Sequence, residues 1–103
     1  MMNTNNLSQN LDKFELINRL TKYLPALRAK IGVSQEEVSK IIGISRQTYS
    51  SIETGKREMS WNTFLSLILF FGCNEGTSEM LNGIGVLTPE LNDLLSTNNR
   101  KDK

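Results

Sequence analysis

The chain has 103 residues, 38% of them hydrophobic and 22% charged, with a net charge of +1: enough for one small soluble domain and too little for two cores. Histidine is absent and Cys73 is the sole cysteine, which removes Ser-His and Cys-His catalytic pairs, most metal-ligand sets and any intrachain disulfide. No enzyme activity, metal or cofactor is expected. Neither a basic-then-apolar leader nor an apolar run near the ~18 residues of a membrane helix stands out, so the expected location is cytoplasmic, away from membranes.

The charge is unevenly placed. From Arg19 to Arg57 eight basic residues face three acidic ones, whereas from Glu58 to Lys103 three basic residues face six acidic ones. The first half suits phosphates and the second suits solvent or protein.

Residues 1–10, MMNTNNLSQN, lack the apolar surface to offset ordering and read as a flexible arm. From Leu11 the apolar residues Leu11, Phe14, Ile17, Leu20, Leu24, Leu27 and Ile31 recur at helical spacing and predict one buried face. Pro25 cannot donate to the Thr21 carbonyl, so either a kink lies near residues 21–25 or a new helix begins there. Gly32 closes the segment.

The run SQEEVSKIIGISRQTYSSIETGK, from Ser34 to Lys56, holds two short helix patterns, each opened by a serine, with one glycine between them. Ser34 and Glu37 have the spacing of a reciprocal cap. Gly43 supplies the left-handed residue past a helix end, and Ser45 caps the next helix. That is the layout of a helix-turn-helix over residues 34–54. Val38, Ile41 and Ile42 in the first helix, and Tyr49 and Ile52 in the second, are expected inward, with Ser39 small where the two cross. Arg46 and Gln47 are the first exposed positions of the second helix and can pair with guanine and adenine edges.

Gly55 ends that helix, and the following loop carries Lys56 and Arg57. Ser60 caps an apolar helix, Trp61–Phe71, with Phe64, Leu65, Ile68 and Phe71 facing the core and Trp61 and Phe70 also expected there. Cys73 reads as a small apolar residue. Beyond Gly72 two short helices are predicted, Glu79–Asn82 capped by Ser78 and Glu90–Leu95 opened by Thr88-Pro89. Residues 97–103 read as a frayed tail. The fold class expected is all-α, a bundle of about five helices with a helical extension before the helix-turn-helix. Its divisions are a helical DNA-binding unit at 11–72 and a C-terminal pair of short helices at 73–96.

Leu27-Arg28 before Gly32, Ser34-Gln35-Glu36-Glu37, Gly43, Ser45-Arg46-Gln47, and Ile52-Glu53 followed by Gly55-Lys56 occur in that order. In this set the chain resembles phage-repressor-like helix-turn-helix regulators of the lambda-repressor and Cro type, the Xre family. The resemblance spans roughly Leu24 to Phe71. It implies that the second helix of the motif enters the major groove with Arg46, Gln47 and Ser51 at base edges. It implies phosphate contacts from Gln35, Ser45, Thr48, Thr54 and Lys56, weaker electrostatic help from Lys22 and Lys30, and an ion pair between Arg28 and Glu53.

The expected function is sequence-specific binding of double-stranded DNA, as a repressor seated on a two-fold-symmetric operator. One small reading head buries little DNA, so a homodimer is expected. Leu81, Ile84, Val86, Leu87, Leu91, Leu94 and Leu95 make the C-terminal segment the first candidate for its contact, and residues 11–24 the second. The alternative is a protein-interaction module on the same scaffold, with an antitoxin lying between the two. Whether Arg46 and Gln47 matter separates them.

Overall fold

In a computed structural model, residues 11–96 are described. The expected arm at 1–10 and tail at 97–103 lie outside them. Among the described residues six helices follow one another without strands: α1 Lys13–Ile31, α2 Gln35–Ile42, α3 Arg46–Glu53, α4 Trp61–Gly72, α5 Glu75–Gly83 and α6 Pro89–Leu95. The all-α expectation holds, with one helix more than the rounded number. No helix among them is long and apolar enough to cross a membrane.

α1 is the central post, packing against α3, α4 and α5. Its inward stripe is Leu16, Ile17, Leu20, Leu24 and Leu27. The predicted stripe had Phe14 in place of Leu16, yet Phe14 is 62% exposed. Phe14 keeps helical spacing with Ile17, three residues on, whereas Leu16 keeps it with Leu20 and Leu24, four and eight residues on, and the packing of α1 against the rest of the chain selects Leu16. Pro25 starts no new helix, because α1 runs through it to Ile31. Pro25 is exposed, and it leaves the Thr21 carbonyl, one turn earlier, without its helical donor. Gly32, at φ +70°, then ends α1.

The core is completed by Val38, Tyr49, Ile52, Met59, Phe64, Leu67 and Phe71 from the middle of the chain, and by Leu81, Val86 and Leu91 from its end. Ser39 is buried at 3% exposure, as its small size suggested, and its hydroxyl donates to the Glu36 carbonyl at 2.9 Å. Ile41 departs from expectation. It is 62% exposed, and with Ile42, Leu69, Phe70 and Cys73 it lines an open groove between α2 and α4. Cys73 is accordingly exposed rather than packed. Trp61 is only half-buried; its ring stacks on Phe64 at 4.7 Å between centroids and lies under the Lys13 ammonium at 4.9 Å.

The C-terminal helices differ most from the sequence reading. α5 starts at Glu75 behind Asn74, so Ser78 sits inside the helix instead of capping it. α5 lies against the end of α1, where a Cβ at Gly76 would make ordinary contact with the Lys30 side chain at 3.4 Å. α6 begins as predicted, with Thr88 Oγ1 accepting the Leu91 N–H at 3.1 Å and proline at the first helical position. Leu81, Val86 and Leu91 are fully buried and Ile84 packs beside them, leaving Leu87, Leu94 and Leu95 as the exposed apolar residues of this segment. The supposed surplus of apolar side chains is therefore mostly consumed within the chain.

Candidate nucleic-acid interface

The helix pair α2–α3 is held by local chemistry that the sequence displays. The Glu37 N–H donates to Ser34 Oγ at 3.0 Å and the Ser34 N–H donates to Glu37 Oε1 at 2.8 Å, satisfying two donors that a helix start leaves free. Gly43 at φ +85° stops α2. Its N–H and that of Ile44 both reach the Ser39 carbonyl, at 2.9 and 3.0 Å. Ser45 then caps α3 by accepting the Thr48 N–H at 3.0 Å.

One side of α3 is anchored by Tyr49 and Ile52, at 0% and 2% exposure. Gln47 lies on the opposite side and Arg46, one position earlier, to the flank between them, both exposed. Gln47 and Ser51 are four residues apart and share a face, with Ser51 half-buried. Among the described residues none holds the side chains of Arg46, Gln47 or Lys56. These three groups project from a fixed backbone and are free to meet a ligand.

Behind the reading face lies a polar knot. Arg28 Nε and Nη2 donate to the two carboxylate oxygens of Glu53 at 2.6 and 3.1 Å, Gln35 Nε2 donates at 2.9 Å, and the Tyr49 hydroxyl donates at 2.8 Å. The pair is largely shielded, with side-chain exposures of 20% for Arg28 and 5% for Glu53. Arg28 Nη1 also donates to the Val33 carbonyl at 3.1 Å. Burial pushes the Glu53 carboxyl up, but the donors from Arg28, Gln35 and Tyr49 outweigh it and hold the group below the ordinary glutamate value. Burial, then the hydrogen bond to Glu53, drives the Tyr49 phenol upward, and the hydrogen bond to Glu53 raises the Arg28 guanidinium. The knot ties α1, α2 and the end of α3 together and so fixes how α3 is presented.

The expected phosphate-contact residues fall into distinct settings. Gln35 has its side-chain amide committed to Glu53, although its main-chain N–H, at the first position of α2, is one of the donors a helix leaves open. The Thr54 hydroxyl donates back to the carbonyls of Ser50 and Ser51 at 3.1 and 3.2 Å. Ser45 Oγ donates to Thr48 Oγ1 at 2.9 Å. Sequence reasoning missed two participants. Tyr49 was seen only as core, though its spacing of four residues from Glu53 signals the contact. Arg57 was counted only as loop charge, yet its Nη1 donates to Thr48 Oγ1 at 3.2 Å.

Comparison with curated proteins and with solved structures gives no match. Residues 26–76 match the helix-turn-helix family, a span that runs from the middle of α1 into the start of α5 and contains the capped pair, the anchored reading face and the polar knot. Over this span the chain is a helix-turn-helix domain of the Xre and lambda-repressor type, a family of DNA-binding regulators.

Proposed function

We propose that the protein is a sequence-specific regulator of double-stranded DNA, a repressor that acts by occupying a two-fold-symmetric operator as a homodimer. The observation that carries this reading is α3 itself: its Tyr49 and Ile52 side is locked into the core while Arg46 and Gln47 stand exposed with no described partner. Gln47 pairs with adenine and Arg46 with guanine or a flanking phosphate, each good bidentate contact contributing about 1–3 kcal/mol of discrimination. Ser51 lies on the Gln47 face, one turn further along. Lys56 and Thr48 meet phosphates, with Ser45 supporting Thr48 from behind; Thr54 does so once its hydroxyl turns from the Ser50 and Ser51 carbonyls, and Gln35 does so through its main-chain N–H while its side chain stays on Glu53. The location that follows is cytoplasmic.

A single head of this size buries little DNA, so two heads reading half-sites about one helical turn apart supply the affinity. Leu87, Leu94 and Leu95 remain exposed at the C-terminal end, and Phe14 is exposed near the start of α1. Leu87, Leu95 and Phe14 are exposed apolar groups of the two segments from which the contact between copies is drawn.

Binding measurements on Gln47→Ala and Lys56→Ala test the division of labour. Gln47→Ala is expected to relax preference at one base position of each half-site. Lys56→Ala is expected to weaken all sequences alike and to flatten the plot of log affinity against log salt by about one unit. An unchanged preferred site in Gln47→Ala would remove that residue from base reading.

A further inference from the structure

Arg57 is held at its main chain and at its guanidinium along the flank of α3. Its main-chain N–H donates to the Ser51 carbonyl at 3.2 Å, and its guanidinium reaches back one turn to donate to Thr48 Oγ1 at 3.2 Å. Thr48 and Ser51 are three residues apart and lie on one side of the helix. Thr48 Oγ1 also accepts the Ser45 hydroxyl at 2.9 Å. A hydroxyl oxygen has two acceptor lone pairs and one hydrogen. When the Ser45 hydroxyl donates to it, Thr48 Oγ1 accepts from two groups within the chain and its own hydrogen points outward.

In that arrangement the group Thr48 offers outward is its O–H, which takes an acceptor. A charged donor on its oxygen also strengthens that O–H as a donor. The first turn of α3 contains no acidic residue, so the guanidinium and the positive end of the helix are left uncompensated and favour an anion. Phosphodiester oxygens are acceptor-only and anionic, which base edges are not.

We propose that Arg57 is a positioning residue for DNA binding: acting through Thr48, it sets the first turn of α3 as a hydrogen-bond donor to one backbone phosphate beside the bases that α3 reads. This rests on the DNA-binding reading above. Arg57 sits in an exposed loop, so removing it leaves the core intact.

The test is a double-mutant cycle on the full chain with its selected duplex site. Thr48→Val and Arg57→Ala are each expected to weaken binding roughly tenfold. The double variant is expected to bind no more than about two- to threefold worse than the weaker single one, because both changes remove one coupled contact. Thr48→Ser, which keeps the hydroxyl, is expected to restore binding, and the melting temperature and preferred base sequence are expected to stay unchanged throughout. Losses that multiply would show that Arg57 and Thr48 act separately and would overturn the proposal, as would a changed base preference in Arg57→Ala. Failure of the unaltered protein to bind any duplex at low salt would instead overturn the DNA-binding reading, and this proposal with it.

Discussion

Glu53 is the residue on which the presentation of α3 depends. Its carboxylate takes four hydrogen bonds from three side chains, Arg28, Gln35 and Tyr49, in a setting where an unpaired partner charge would be costly. Glu53→Gln removes the charge that Arg28 needs and places an NH2 group against donors, a loss of about 3–5 kcal/mol by analogy with broken shielded pairs. Because the folded state holds Glu53 below its ordinary value, the carboxylate's contribution is fully present above that ordinary value. It is lost as pH falls through the lower folded one. Thermal melts of the natural protein and Glu53→Gln are expected to lie far apart at neutral pH and to converge in acid, while base preference is retained. A constant gap across that range would mean that the ionised carboxylate is not what stabilises the knot. Arg28 and Glu53 came from family resemblance. Tyr49, four residues before Glu53, was within reach of helical spacing, whereas Gln35 was not, because a shielded carboxylate's remaining acceptors are filled by whichever donors the tertiary packing brings near.

At the scale of elements, α2 and α3 are eight residues each, too short to persist alone, so their ends must be fixed by caps and their faces by the core. The caps at Ser34, Ser45, Ser60 and Thr88 were legible because each is a contact within three residues of its own position. Asn74 was not, since it opens α5 without a side-chain hydrogen bond and α1 supplies the packing that fixes the helix. Pro25 left two readings open, a kink or a new helix, and the unbroken α1 removes the second. Gly43 makes the most direct element-scale prediction. A Cβ there meets nothing within 4 Å, so the cost of Gly43→Ala is conformational, about 1–2 kcal/mol for a left-handed residue. Urea unfolding is expected to show that loss at unchanged m-value. An unaffected midpoint would mean that the turn does not require the glycine.

Over the whole molecule, the helix-turn-helix does not carry its own core. α1 reaches back to Lys13 and α6 forward to Leu95, and Leu16, Leu81, Val86 and Leu91 from these flanks are buried with Tyr49, Ile52 and Phe64. The reading head was legible because its signals are local and ordered along the chain. The destination of the C-terminal leucines was not, since a fully buried side chain and an interface side chain look alike in sequence. The same limit applies to Ile41, whose helical spacing pointed inward and whose side chain lies on the surface. The central claim is that α3, held rigid by this core, reads DNA through Arg46 and Gln47. Selection of binding sites from a random duplex pool, with the natural protein beside a variant carrying Arg46→Ala and Gln47→Ala, tests it most directly. The account predicts an enriched two-fold-symmetric site for the natural protein that the variant loses. No enrichment by the natural protein at low or moderate salt, or the same site selected by both, would contradict it.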